Sequence, residues 1–168
     1  MIASKQSPSL RWLAPTIAVL SLVAGIAPVA AEESAAATEI KAMIMADNDY
    51  VRANLKDQQA GVSKHGSVEF WSSGGLMQWS APDGPLTEYD KFTITAKHIK
   101  VIELPGGESA VAMYYSEGTM ARKGAPAVTN YFTRVTQVFV KEDGEWVVRA
   151  AHWSPVQGGS GTNQTAVE

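Results

Sequence analysis

The run TRVTQVFVKEDGEWVVRAAHWSP, residues 133–155, decides the fold class. Val135, Val138, Phe139 and Val140 stand before Asp143-Gly144, and Trp146, Val147 and Val148 stand after it. β-Branched and aromatic residues on both sides of an Asp-Gly pair specify two strands joined by a two-residue hairpin loop. Counting back from that loop pairs 142 with 145 and 141 with 146. Continued without interruption, the register sets Arg134 opposite Trp153 on one face of the sheet.

Working outward, two further separators of the same kind divide the chain's second half. Strands are expected over 93–104, 109–121, 127–141 and 145–154. Pro105-Gly106-Gly107, Lys123-Gly124-Ala125-Pro126 and Asp143-Gly144 lie between them. Connections this short make consecutive strands antiparallel neighbours. A turn centred on Ala125 puts Ser116 opposite Arg134, and a three-residue loop at 106–108 puts His98 opposite Ser116. One row across four strands then reads His98, Ser116, Arg134, Trp153. A one-residue slip or a bulge at any turn flips the face.

Ahead of the strands, residues 34–60 show helical spacing, with Ile40, Met43, Ile44, Val51 and Leu55 near one face. Asp47-Asn48-Asp49 is a weak point where the helix is expected to break, and Gly61 is its expected stop. Residues 67–80 suggest a short hairpin around Gly74-Gly75. Residues 81–85 suggest a linker and 86–91 a helical turn. The fold class expected is α+β: an antiparallel meander with helical material ahead of it, the N-terminal helix being the available cover for one face.

The chain has 168 residues, enough for one domain, and 45% hydrophobic against 18% charged residues is the composition of a packed core. It has no cysteine, which excludes disulfides, thiol nucleophiles and thiolate metal sites. Lys5 and Arg11 are the only charges before Glu32. With the Ile17 to Ile26 apolar run and the small residues Val29-Ala30-Ala31 they form a signal-peptide pattern over 1–31. An uncleaved anchor is the competing outcome, but the apolar run is short for a span. Export to the periplasm or medium is therefore expected, by the general secretory route. The domain is expected at 32–155 and a disordered tail at 156–168, where Asn163-Gln164-Thr165 matches a sequon by chance. Removing 1–31 leaves 12 basic and 17 acidic residues, a net charge of −5. An acidic body argues against nucleic acid as a partner.

Several mid-strand residues are candidates for chemistry. Arg134 lies among Phe132, Val135, Val138 and Phe139, where a guanidinium is costly unless paired or solvated. It either stacks on Trp153 and bonds a carboxylate such as Glu117, or lines a pocket and holds an anionic or carbonyl ligand. His98, Tyr114, Ser116, Arg134 and Trp153 form the candidate ligand-binding set. His152, Glu117 and Arg149 are half-buried or solvated strand residues in the simpler reading. Trp71 and Trp79 are expected to pack. No metal site, cofactor motif, P-loop or nucleophile elbow is present in the sequence.

Two stretches resemble a known family. GGESAVAMYYSEGTM, residues 106–120, and the run at 133–155 are similar to the SnoaL-like group of the nuclear transport factor 2-like superfamily. They are similar in particular to the association domain of calcium/calmodulin-dependent protein kinase II. The shared marks are Glu108-Ser109-Ala110, Thr133-Arg134-Val135, Asp143-Gly144-x-Trp146 and His152-x-Ser154. What this implies is a curved antiparallel sheet wrapped by N-terminal helices to form a cone, with a conical pocket, in a dimer or larger assembly. Arg134 and His98 match two basic pocket positions of that domain, while Ser116 and Trp153 stand where it has arginines. The family's isomerases and cyclases resemble this chain in fold only.

Three functions compete. A small-molecule pocket, binding or isomerase-like, needs polar groups converging in an apolar cavity, and a small carboxylate or carbonyl compound is its expected ligand. An assembly module needs a broad apolar outer face. Val111, Met113, Val135, Phe139 and His152 are candidates for that face in a homodimer or larger homo-oligomer. An accessory to another exported protein is the third.

Overall fold

The computed structural model describes residues 33–156, 158, 159 and 161. The segment 1–31, expected to be a sorting signal, lies outside them, as does most of the expected tail. Val156 still donates its amide to the Phe132 carbonyl, 3.0 Å away.

Helix α1 spans Ala35–Asn54. Ser34 caps it, its hydroxyl accepting from the Ala37 amide at 3.2 Å, an arrangement that contributes about 1 kcal/mol. The expected break at Asn48 does not occur. Ile44 and Val51 are both buried, two turns apart, and hold the polar stretch between them in helical register. The helix ends at Asn54, before the expected Gly61. Leu55 turns left-handed (φ 53°) with its amide on the Val51 carbonyl. Asp57 then donates its amide to Thr87, so the chain leaves the helix to pair with a distant segment.

Seven strands follow among the described residues: β1 Ser67–Phe70, β2 Gln78–Ser80, β3 Tyr89–Phe92, β4 Thr95–Glu103, β5 Ser109–Arg122, β6 Val128–Glu142 and β7 Glu145–Pro155. The 67–80 hairpin forms as expected, as β1 and β2. The helical turn expected at 86–91 is instead in part β3, which pairs with the far end of β5. The sheet order is β2-β1-β7-β6-β5-β3, with β4 also on β5. All consecutive long strands are antiparallel, but β1 runs parallel to β7, so the sheet is mixed rather than antiparallel throughout. A strongly curled mixed sheet with one helix is the architecture, where several helices were expected.

Besides a register shift in β3 between Tyr89 and Lys91, three bulges bend the strands. One lies between Lys97 and Lys100, where His98 takes φ 56°. A second lies between Gly118 and Met120, and a third interrupts the β6–β7 ladder after Phe139. At Gly118 (φ 153°) a β-carbon would lie 2.5 Å from the Thr93 carbonyl oxygen, so the close approach of β3–β4 to β5 requires glycine there.

The core forms where α1 lies on the inner face of the sheet. Ile40 and Ile44 pack with Ala112, Tyr114, Val135, Phe139 and Trp146, and the Trp146 indole donates to Glu39 of α1 at 2.8 Å. Val135 and Phe139 are 2% and 1% exposed. They belong to this core and not to the outer face for which they were candidates. Met113 and His152 remain on the outer side.

Candidate functional site

The inner face of the sheet, α1 and the connecting segments around 57–62 and 80–87 enclose a cavity of about 500 Å³. Its apolar wall includes Ile44, Val51, Ile94, Met120, Phe139 and Trp153. Polar groups converge on it from separate elements. Asp47 comes from α1 and Asp57 from the segment after it. Glu69 comes from β1, Tyr89 from β3, Tyr114, Ser116 and Arg122 from β5, and Tyr131 and Gln137 from β6. An apolar cavity with a few inward polar groups is the usual form of a small-molecule site.

The expected ligand set divides. Tyr114, Ser116 and Trp153 line the cavity. His98 and Arg134 do not. Arg134 pairs with Tyr115 and Ser154, is exposed, and reaches the Pro155 carbonyl at 3.4 Å. The expected register holds from the hairpin as far as Phe139 opposite Val148. The bulge at Arg149 then shifts it by one, placing Trp153 opposite Val135 and turning Arg134 to the other face. Ser116 likewise faces Thr133 and not Arg134: the β5–β6 turn is centred one residue early, which moves the pairing by two, and the bulge between Gly118 and Met120 takes one of those steps back. The bulge at His98 leaves that ring exposed, edge-on to Tyr115 at 6.2 Å. Arg134 therefore neither stacks on Trp153 nor bonds Glu117. Trp153 stacks on Trp71 at 5.2 Å and 12°, and Glu117 pairs with Lys97 at 2.7 Å.

Burial shapes the electrostatics. Glu69 is 7% exposed, and loss of solvent pushes its carboxyl above the ordinary range, against the pull of the Ser67 and Ser80 hydroxyls. Asp57 is raised for the same first reason, although it accepts from the Tyr89 hydroxyl at 2.9 Å and feels Arg122. Asp47 is also raised by desolvation, with Gln58 donating to it, yet it stands solvent-exposed at the mouth. Glu69 is buried where Asp47 is exposed, so loss of solvent bears more heavily on Glu69. Tyr89 and Tyr114 are held firmly neutral, chiefly by burial. Among the described residues no group of three His, Cys, Asp or Glu side chains is placed to hold a metal.

The three carboxyls and Arg122 escaped the sequence reading. One signal was available: Glu69 stands between Val68 and Phe70 in a strand where alternation puts it beside the buried Ser67. Asp47 and Asp57 carry no such mark, because their approach depends on where α1 stops.

A family model described as a SnoaL-like domain matches residues 31–157. No curated protein sequence matches the chain. Among solved structures, the chain is similar to an NTF2-like protein of unknown function from Pseudomonas putida KT2440. The TM-score is 0.51 at 16% identity, over 80% of this chain and 99% of that one. It is also similar to the CaMKII hub homology domain of Chlamydomonas reinhardtii, with TM-score 0.50 and 21% identity over 73% and 99% of the two chains. A putative calcium/calmodulin-dependent kinase II association domain from Exiguobacterium sibiricum 255-15 gives TM-score 0.50 at 12% identity, over 74% and 96%. These likenesses concern the fold, which is that of the NTF2-like proteins. The family match covers the helix, the sheet and the cavity between them, and the chain belongs to the SnoaL-like family.

Proposed function

We propose that this protein binds a small, largely apolar molecule in the cavity between α1 and the curled sheet. The observation that carries this is the cavity itself: about 500 Å³, with a largely apolar wall that Glu69, Arg122 and Ser116 also line. Leaving such a space unfilled, with a buried carboxyl inside it, lowers stability, so its retention favours a ligand. A neutral environment-sensitive probe, 1-N-phenylnaphthylamine, tests it. The probe binds the native protein, and Ser116→Phe, which puts a ring into the cavity from its wall, weakens binding. Equal binding by both proteins contradicts the proposal.

Two additional observations each favour a further property. Met113, Ile102 and Phe70 are 52%, 56% and 45% exposed. Two of the similar structures are described as a hub homology domain and a putative association domain. A second copy of this chain covering the outer sheet face accounts for both, and light scattering at micromolar protein should give at least a dimer mass. A monomer mass contradicts it. Carboxyls held above their ordinary range beside an apolar ligand space also suit proton transfer on a bound compound. A screen for proton exchange at carbon next to a carbonyl tests that enzymatic reading, and loss of exchange in Glu69→Gln supports it. No exchange in the native protein contradicts it.

A further inference from the structure

Two donors on the cavity wall have no acceptor. Arg122 Nε and Trp71 Nε1 are both closed off from solvent, and neither donates to any described residue. They belong to one stacked unit. The Arg122 guanidinium carbon lies 5.6 Å from the Trp71 ring centroid, and Trp71 stacks on Trp153. Arg122 sits at the end of β5, opposite Tyr89 of β3, so its backbone is fixed by the sheet.

The neighbouring groups do not claim these donors. The Tyr89 hydroxyl donates to Asp57, Tyr114 to Gln137 and Tyr131 to Ser72. Arg122 forms no ion pair with a carboxylate among the described residues. Buried N–H groups in folded proteins are almost always bonded, and an exception in a ligand-sized cavity marks where a ligand atom belongs.

We infer that Arg122 and Trp71 form the polar subsite of the cavity, receiving the carbonyl oxygen of a ketone or aldehyde whose apolar body lies along Trp153. This rests on the cavity being a small-molecule site. A proton-free oxygen suits two N–H donors, whereas a hydroxyl brings a proton of its own. A neutral carbonyl suits the wall better than a carboxylate does. Arg122 is the one cation among the lining residues, and Asp47, Asp57 and Glu69 share the wall with it. An anionic ligand would add a like charge beside those carboxyls in a medium that screens it poorly.

The test uses one apolar body with three substituents: 2-acetonaphthone, 2-naphthoate and 2-ethylnaphthalene. Each is titrated calorimetrically into the full chain and into two variants. Arg122→Met removes the charged donor. Trp71→Phe keeps a ring on Trp153 and removes the indole N–H, and it reports independently where Arg122→Met fails to fold. The ketone should bind tightest of the three. Arg122→Met should weaken it by about tenfold or more, as expected for a lost bond to a charged donor, and leave 2-ethylnaphthalene within about twofold. Trp71→Phe should weaken the ketone by about threefold and spare the hydrocarbon. A ketone-to-hydrocarbon ratio unchanged in both variants overturns the subsite while leaving the cavity a ligand site. Naphthoate binding above the ketone overturns the choice of a neutral acceptor. If none of the three binds, the small-molecule function falls, and the subsite with it.

Discussion

Glu69→Gln should remove a pH-dependent weakness built into the cavity. The native carboxyl is 7% exposed and is pushed above its ordinary range by burial. In the unfolded chain the same group titrates near about 4.3. Below that value both states hold the proton, and Glu69 adds no penalty. As pH rises further the unfolded chain releases its proton first, so stability falls until pH has passed the raised folded value. Each unit by which burial raises the carboxyl costs about 1.4 kcal/mol at high pH. With unfolding entropy of about 2.1 cal/mol/K per residue over roughly 120 folded residues, that is about 5 °C of Tm per unit. Glutamine has the same shape and no titration. The assay is thermal unfolding of the native protein and Glu69→Gln from pH 4 to pH 8. The variant should gain on the native protein steadily as pH rises above the ordinary carboxyl range. Asp47, raised in the same direction, remains in both proteins and cancels in the difference, while the repulsion between Asp57 and Glu69 is relieved in the variant and widens the gap in the same sense. Two curves that run parallel across the range would refute the placement of Glu69 in a desolvated site.

Ile40→Ala, at a position with no exposure where α1 meets the sheet, should cost about 2–5 kcal/mol in urea unfolding; a loss under about 1 kcal/mol would mean that the helix is not seated as described. Gly118→Ala meets the Thr93 carbonyl at 2.5 Å with φ 153° and should lose about 1–3 kcal/mol from the backbone alone, with unchanged stability contradicting that contact. For export, the mature protein recovered outside the cytoplasm should begin at Glu32 on N-terminal sequencing. A chain that keeps Met1 and fractionates with membranes contradicts the signal peptide.

The meander could be read because its turns carry their own chemistry. Asp143-Gly144 supplies the positive φ values of a tight hairpin, and both residues adopt them. Register near that turn follows by counting, and it holds to Phe139. Beyond it a bulge leaves Arg149 unpaired in the ladder, its guanidinium on the Gly66 carbonyl and over the Trp79 ring. Those partners lie in β2 and in the residue before β1, some 70 to 83 positions away, so nothing local announces the slip. Its consequence is large because strand periodicity is two: Arg134 changes faces, while Trp153 keeps the inner one. His98 is displaced by a bulge in the same way. β1 has four residues, too few for a pattern to reveal that it docks parallel to β7 and carries Glu69 into the cavity. Asp57 and Arg122 converge only after α1 stops at Leu55 and β3 pairs with the end of β5. The sheet was legible from neighbours in sequence, whereas the site is made of neighbours in space.

The most direct test of the small-molecule function is a crystal structure of the protein purified without denaturation and soaked with 2-acetonaphthone. The account predicts continuous non-protein density between Trp153 and the Glu69 side of the cavity, with an oxygen within hydrogen-bond distance of Arg122 Nε. A cavity that holds only discrete water, with Arg122 and Trp71 bonded to it and the soaked compound nowhere in the site, would contradict the account.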